Sequence, residues 1–301
     1  MYDLIVIGAG PAGITAAVYA ARKKMDLLVI SSDIGGQAAW SGDIENYTGY
    51  QLVSGSELVL KFEEHMRTYG VKVREPEEVT GITKEGELIT VRTVAGAYEA
   101  KTVIIASGKR SRELGVPGEK EFRNKGLTYC ATCDGPLFAG KDVAVIGGGN
   151  SALDAALQLI KIARHVHVIN NTPGLGGDVI MREKVMASPA VTVFNNARVT
   201  VINGSALVEG ITIAYEGSQK IIPVQGVFVE IGLMPNTAFI SGVEKNTNGE
   251  IKVDRANATN IPGIFAAGDV TDVPEKQIII AAGEGSKAAL GAFRYLARRR
   301  M

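Results

Sequence analysis

Leu4-Ile5-Val6-Ile7-Gly8-Ala9-Gly10-Pro11-Ala12-Gly13-Ile14-Thr15-Ala16-Ala17 decides the architecture of this chain. A continuous apolar run meets a glycine turn and opens into residues of helical character, in the order strand, turn, helix. Gly8 permits the tight turn, Gly10 lets a pyrophosphate lie against the backbone at the helix N-terminus, and Gly13 lets helix and strand pack closely. The pattern occurs twice. Val143-Ala144-Val145-Ile146-Gly147-Gly148-Gly149-Asn150-Ser151-Ala152-Leu153-Asp154-Ala155-Ala156 lies over Leu4 to Ala17 position by position, with Ala152 in place of the third glycine. Two mononucleotide folds in one chain imply two dinucleotides, most simply FAD on the first and a nicotinamide on the second.

Outward from each turn, the strand that follows should end in a group that holds a ribose. Leu27-Leu28-Val29-Ile30 ends at Ser31 and Ser32, where an acid is usual and a serine can make the contact. The same offset from Ala152 reaches Asn170, at the end of His165-Val166-His167-Val168-Ile169. The loop Asn170-Asn171-Thr172-Pro173-Gly174-Leu175-Gly176-Gly177 carries no charge, so the arginines that would neutralise a 2′-phosphate are missing. NADPH is therefore disfavoured, and NADH is possible through the amide of Asn170. The stretch from Gln51 to Tyr69 reads as a helix with His65 on its solvated face, and alternation from Val71 to Ala100 reads as an antiparallel excursion. Thr102 to Gly108, Val227 to Gly232 and Gly263 to Asp269 read as buried strands ending in glycine turns, the last placing Asp269 where a carboxylate can bond a ligand hydroxyl. Lys276-Gln277 opens a helical run to Arg300, whose first N–H groups would face an electron-rich ring.

The only two cysteines lie in Cys130-Ala131-Thr132-Cys133-Asp134, between the two turns. At that spacing they close a small disulfide or stay as a reactive thiol pair. A structural zinc half-site would need two more ligands, and no second pair exists. His165 and His167 share a strand face, but with one further histidine in the chain no metal site is expected. Asp134 reads as a proton donor and acceptor, or as a helix cap. Trp40 follows Gly35-Gly36-Gln37, where it could shield a ring or simply pack. With 32 basic against 32 acidic residues and 46% hydrophobic content, nothing points to nucleic acid or an anionic membrane, and no apolar run has the length of a membrane span. The N-terminus reads as a first strand and not as a signal peptide, which makes a cytoplasmic location the default.

The dithiol between two dinucleotide folds, together with Gly35-Gly36-Gln37, Glu45-Asn46-Tyr47, Gly268-Asp269 and Lys276-Gln277, resembles the low-molecular-weight flavin thioredoxin reductases over essentially the whole chain. Phe228-Val229-Glu230-Ile231-Gly232-Leu233-Met234-Pro235-Asn236-Thr237 and Gln277-Ile278-Ile279-Ile280 are also similar to the flavoprotein of the alkyl hydroperoxide system, whose extra N-terminal thioredoxin-like domain is not expected here. The resemblance implies an α/β protein with two Rossmann-like dinucleotide-binding domains. The FAD domain, 1–115 and 245–301, would be discontinuous, and the pyridine-nucleotide-like domain carrying the dithiol, 116–244, would be inserted in it.

FAD would be held by Gly8, Gly10, Pro11, Ala12 and Gly13, with Ser31 and Gly36 beside them. Gln37, Asn46, Ala106 and Gly108 would border the flavin. Gly268 and Asp269 would take the ribityl chain, and Lys276, Gln277 and Ile278 would lie by the ring. Gly147, Gly149, Asn150, Ala152 and Asn170 would hold the nicotinamide dinucleotide. Cys133 would face the flavin, Cys130 would attack a thioredoxin-type protein, and Asp134 would handle the proton. The resemblance further implies a homodimer, and the neutral loop leaves open a ferredoxin in place of the nicotinamide. A flavin redox sensor without steady turnover is the third reading.

Overall fold

The alternation of apolar side chains along the first strand, Tyr2–Ala9, determines how its sheet is covered. Leu4 and Val6 enter one core and Ile5 and Ile7 another, and all four are buried, as expected of a parallel sheet packed on both faces. The computed structural model describes every residue except Gly42, Glu45, Arg300 and Met301. The expectations on Glu45 and Arg300 lie outside the described residues, as does the side chain of Trp40. Among the described residues the α-helices are α1 (Pro11–Arg22), α2 (Gly55–Thr68), α3 (Ala131–Asp134), α4 (Asn150–Leu159), α5 (Val179–Ala187) and α6 (Ile278–Arg299).

The chain forms two compact units. The first is Met1–Ser41, Glu45–Arg110 and Met234–Met301, and the second is Gly42–Ile44 and Ser111–Leu233. The chain thus passes between units at 110/111 and 233/234, where the sequence suggested 115/116 and 244/245.

In the first unit the strand order is Lys72–Arg74, Leu27–Ile34, Tyr2–Ala9, Ala97–Ile105, Leu88–Thr93, Val79–Glu85, and Ile264–Ala266 also pairs in parallel with Ala97–Ile105. The antiparallel excursion is smaller than the alternation suggested. Lys72–Arg74 instead pairs in parallel with Leu27–Ile34, because the α2 crossover returns the chain to the same end of the sheet. Helix α2 begins at Gly55, later than expected, where the Ser54 hydroxyl accepts the Glu57 N–H at 3.2 Å. Helices α1 and α6 pack through small buried residues, Ala16, Ala288 and Ala292 among them. A Cβ at Gly285 would lie 2.0 Å from the Ala12 carbonyl oxygen, so the closeness of these helices requires glycine there.

The second unit has a five-stranded parallel sheet in the order Leu127–Thr128, Gly226–Val229, Asp142–Ile146, His165–Ile169, Val191–Phe194. Val143 and Val145 face the core that α4 covers, while Ala144 and Ile146 face the core shared with the antiparallel strands Arg198–Gly204, Val208–Tyr215 and Ser218–Pro223. Each unit is therefore one dinucleotide-binding domain with its glycine turn at the carboxyl end of a central strand.

Candidate functional site

In the first unit the three glycines are not equally constrained. Gly8 has φ +99°, and a Cβ there would lie 2.4 Å from the Ala106 carbonyl oxygen; a Cβ at Gly13 would lie 1.8 Å from the Gly8 carbonyl oxygen. Gly10 is different, since a Cβ would meet nothing nearer than the Gly35 carbonyl at 3.9 Å. Pro11 opens α1, where its missing N–H costs nothing. Ala12 is held between Gly268 and Gly285. Gly36 closes over the turn, 3.6 Å from the Gly10 Cα when given a Cβ, and its N–H donates to Asp33 Oδ1 at 3.2 Å.

The strand Leu27–Ile34 runs past its expected end, and the reason is Ser31. Its Oγ accepts the Ala9 N–H at 3.0 Å and donates to the Asp33 carbonyl at 2.6 Å, so the hydroxyl fastens two strands and is not directed at a ribose. The nearest carboxylate past it, Asp33, is exposed.

The structure brings the other expected flavin-side residues together in this unit. Gln37 Nε2 donates to the Lys109 carbonyl, and Asn46 Nδ2 donates to Gln277 Oε1 at 3.0 Å, next to Ile278, the first residue of α6. Ser107 and Gly108 are stapled to Asn236, which exchanges three hydrogen bonds with them at 2.7, 2.8 and 3.0 Å. Around them lies a buried charge cluster that local sequence does not reveal. Lys109 pairs with Glu250 Oε1, which Lys276 also reaches at 3.3 Å, and Lys276 donates to the Thr271 carbonyl at 2.6 Å. Burial alone would raise the Glu250 carboxyl, but Lys109, Asn246 and Lys276 together bring it down to about 2. Asp269 is pushed up by burial against the opposing pull of Lys276 and Lys109, and burial lowers the Lys276 ammonium. Among the described residues no donor bonds the Asp269 carboxyl, which suits a carboxylate that takes a ligand hydroxyl. The open mouth at Gly10 and Gly36, the N-terminus of α1 and Asp269 fit a flavin dinucleotide.

In the second unit Cys130 and Cys133 form a disulfide with their Cα atoms 5.4 Å apart. Cys130 is the N-cap of α3, its Sγ accepting the Cys133 N–H at 3.1 Å. Asp134 is buried, and its Oδ2 accepts the Thr128 hydroxyl, whose oxygen also takes the Cys130 N–H at 3.2 Å. The acid thus reaches the dithiol backbone through one hydroxyl. Thr132 is exposed and donates to Gln158 Oε1 on α4 at 3.2 Å. Just before the pair, Tyr129 donates to Glu119 Oε1 at 2.9 Å, and the buried Glu119 also accepts the Leu114 and Gly115 N–H groups, both at 2.7 Å. Burial and this carboxylate push the Tyr129 phenol up.

The second glycine turn is tightly bounded on one side. A Cβ at Gly147, φ +138°, would lie 2.3 Å from the Glu230 carbonyl oxygen, and one at Gly148 would lie 2.3 Å from Asn170 Oδ1. Asn170 is 2% exposed, and its amide is spent on its own loop. Nδ2 donates to the Thr172 carbonyl at 3.1 Å and to Asn195 Oδ1 at 2.8 Å, while Oδ1 accepts the Thr172 hydroxyl at 2.9 Å. The expected ribose contact from Asn170 is therefore not made available, for the same reason as at Ser31. Asn150 Oδ1 accepts the Asp178 N–H at 2.7 Å, and Gly176 N–H donates to the Gly148 carbonyl at 2.7 Å, so the neutral loop lies against the turn. Gly149 stays open, with nothing within 4 Å of a Cβ, and with the buried Ala152 and the first N–H groups of α4 it fits a dinucleotide pyrophosphate. Arg182 on α5, which no sequence motif singles out, reaches the Leu175 carbonyl at 3.5 Å.

Glu230 lies inside the motif Phe228 to Thr237, but motif reading gives its side chain no role. Burial raises its carboxyl to about 7, opposed by the Ala131 N–H and assisted by Asp154. A charge inside the apolar run Val227 to Ile231 is the signal that could have found it. The His165 and His167 rings lie 4.8 Å apart, tilted by 55°, with His165 Nε2 on Thr192 Oγ1 at 2.8 Å. Among the described residues no group of three or more His, Cys, Asp or Glu is placed to hold a metal, and no helix is long and apolar enough to cross a membrane.

The family model for pyridine nucleotide-disulphide oxidoreductases matches residues 2–285. The chain is 46% identical over 301 residues to an NADH dehydrogenase of Bacillus subtilis (strain 168), covering 99% of this chain and 59% of that protein. It is 44% identical over 305 residues to an alkyl hydroperoxide reductase component of Pseudomonas aeruginosa PAO1, covering 99% and 58%. The chain thus spans about three fifths of the length of these curated relatives. Among solved structures, a thioredoxin reductase from Streptococcus pyogenes MGAS5005 superposes with a TM-score of 0.93 at 38% identity, covering 99% of both chains.

Proposed function

This chain belongs to the pyridine nucleotide-disulphide oxidoreductase family, and from that premise we propose that it is a flavin-dependent disulfide reductase that takes electrons from NADH and delivers them to a thioredoxin-type protein disulfide. The observation that carries this reading is the Cys130–Cys133 disulfide, held at the N-terminus of α3 in the unit that also bears the second glycine turn.

FAD, when bound, supplies a two-electron store between a hydride donor and a disulfide. The residues of this chain do the rest. Gly8, Gly10 and Gly13 with the N-terminus of α1 would hold its pyrophosphate and Asp269 would take a hydroxyl of it, while Asn46 and Gln277, which bond each other at 3.0 Å, would border its ring. Two electrons break the Cys130–Cys133 bond, leaving a thiolate on Cys130 and, with one proton, a thiol on Cys133. The Cys130 thiolate attacks a sulfur of the partner disulfide, and the partner's other sulfur leaves as a thiolate and takes a proton. Cys133 then loses its proton and attacks Cys130 Sγ, displacing the partner sulfur from the mixed disulfide, which releases the second partner thiol and restores the internal bond. Asp134, tied through Thr128 to the Cys130 N–H, holds and returns the proton lost by Cys133.

The preference for NADH rests on the loop from Asn170 to Gly177. It is uncharged and its amide is used internally, so a 2′-phosphate finds no prepared partner within the loop. Family likeness supports a homodimer. An anaerobic titration of the flavoprotein with NADH, and separately with NADPH, tests the donor by loss of flavin absorbance. Bleaching by NADH alone, followed by turnover of a thioredoxin, is the expected result. Bleaching by neither nicotinamide, with turnover on reduced ferredoxin, would replace the donor and leave the dithiol chemistry intact.

A further inference from the structure

Three parallel strands of the second unit end side by side. The register Leu127 with Val227 and Thr128 with Phe228 brings these two strands level two residues before Cys130 and Glu230. The register Ile146 with Val229 sets Gly147 on the other side of Glu230. Glu230 is fixed there by its backbone, the N–H donating to the Ile146 carbonyl at 2.8 Å and its own carbonyl lying against Gly147. The side-chain carboxyl faces the Ala131 N–H, the peptide group that directly follows Cys130. The other titratable and charged groups packed around this strand end are Cys130, Cys133 and Asp134 on the α3 stretch, Asp154 on α4, and Arg112, whose backbone N–H donates to the Gly232 carbonyl at 3.0 Å.

We propose that Glu230 is a positioning residue for the dithiol, acting through the Ala131 amide as the store for one of the two protons taken up on reduction. The inference rests on the disulfide-reductase reading. In the oxidised state the site carries the Cys130–Cys133 bond and the Glu230 carboxylate. When two electrons arrive from reduced flavin, the S–S bond breaks, Cys133 takes one proton from water and the Glu230 carboxylate takes another, leaving Cys130 as the thiolate. The local charge is then the same before and after. A carboxylate kept ionised beside a new thiolate would oppose its formation. A carboxyl that titrates near 7 because of burial can accept the proton at neutral pH. When Cys130 gives its electrons to a partner disulfide, that proton is released.

The test uses the flavin-loaded protein reduced with dithiothreitol and desalted anaerobically, so it needs neither a nicotinamide nor a thioredoxin. Its outcome is thus independent of the donor and partner assignments. Iodoacetamide is pulsed between about pH 5 and pH 10, and modification of Cys130 is counted by peptide mass spectrometry. The wild-type rate should show two inflections, one from Glu230 and one from the thiol. E230Q keeps an acceptor for the Ala131 N–H but no titration; it should lose the lower inflection and react about fivefold faster at neutral pH. An E230Q profile that superposes on the wild type overturns the proposal. Should E230Q fail to retain flavin, infrared difference spectra of the wild type decide. Reduction should add a protonated-carboxyl band that shifts in D₂O, and its absence overturns the proposal.

Discussion

The two glycine turns share a sequence pattern but are built for different degrees of closure. In the first unit Gly13 must be glycine, because a Cβ would lie 1.8 Å from the Gly8 carbonyl oxygen, and the turn is then left open at Gly10. In the second unit Ala152 fills the equivalent place and is fully buried, and the loop from Asn170 to Asp178 is hydrogen-bonded onto the turn. The first unit also holds an ion cluster, Lys109, Glu250 and Lys276, whereas the second places the dithiol at a strand end beside that of its turn. A tightly bound cofactor needs an approach that admits no side chain. A substrate that comes and goes tolerates a methyl at the third position and a loop laid against the turn.

The sharpest way to separate the two units is to remove a sulfur. Cys133→Ser should lower reduction of a thioredoxin-type disulfide by about a thousandfold or more, since nothing else can resolve the mixed disulfide. Flavin content and bleaching by NADH should be unchanged, because those belong to the glycine turns. Loss of bleaching in this variant would mean that the dithiol and the nicotinamide site are not separable.

Gly13→Ala against Ala152→Gly tests the difference in closure directly. The first substitution forces backbone apart and should cost about 3 kcal/mol or more, with loss of retained FAD after gel filtration. The second removes one buried methyl from a helix and should cost about 1 to 2 kcal/mol without affecting flavin. Equal melting-temperature losses would show that the third position is equivalent in both turns.

The turns, the dithiol and the general architecture are legible because each is written in contiguous residues. Alternation alone places Lys72–Arg74 with the wrong neighbours, since a three-residue strand carries little periodicity and its partner is fixed by the α2 crossover. Counting from the turns does find Ser31 and Asn170, each following the apolar run of its strand. It cannot reveal that Ala9, Asp33, Thr172 and Asn195 already occupy their polar atoms. Glu250 and Lys109 are 141 residues apart, and no local pattern joins them.

One carboxyl in each unit, buried at Glu250 and half-buried at Glu230, extends the contrast to pH. Glu250 is held at about 2, below its ordinary 4.5, so its contribution to stability is complete above 4.5 and is lost as pH falls through 2. Glu230 is raised to about 7, so its contribution is complete below 4.5 and is lost as pH rises through 7. Melting temperature followed against pH should therefore lose part of its acid leg in Glu250→Gln and part of its decline between 4.5 and 7 in Glu230→Gln, by several degrees in each case. Parallel shifts of the whole curve in both variants would show that neither carboxyl titrates with folding.

The smallest difference concerns the two residues at the ribose-side strand ends. Asn170→Ala removes an amide that makes bonds to Thr172 and Asn195 from a site 2% exposed, and should cost about 2 to 3 kcal/mol. Ser31→Ala leaves the Ala9 N–H without its acceptor and the Asp33 carbonyl without this donor, and should cost about 1 to 2 kcal/mol. The polar atoms of both side chains are taken up by protein partners, so the KM for NADH in the first variant and the retained FAD in the second should change by less than about threefold once stability is matched by lowering temperature. A tenfold rise in KM in Asn170→Ala would mean that the loop opens when the nicotinamide binds and that the amide then turns to the ribose. The second turn would in that case be closed only until its substrate arrives, and the contrast between the two units would be one of timing as well as of packing.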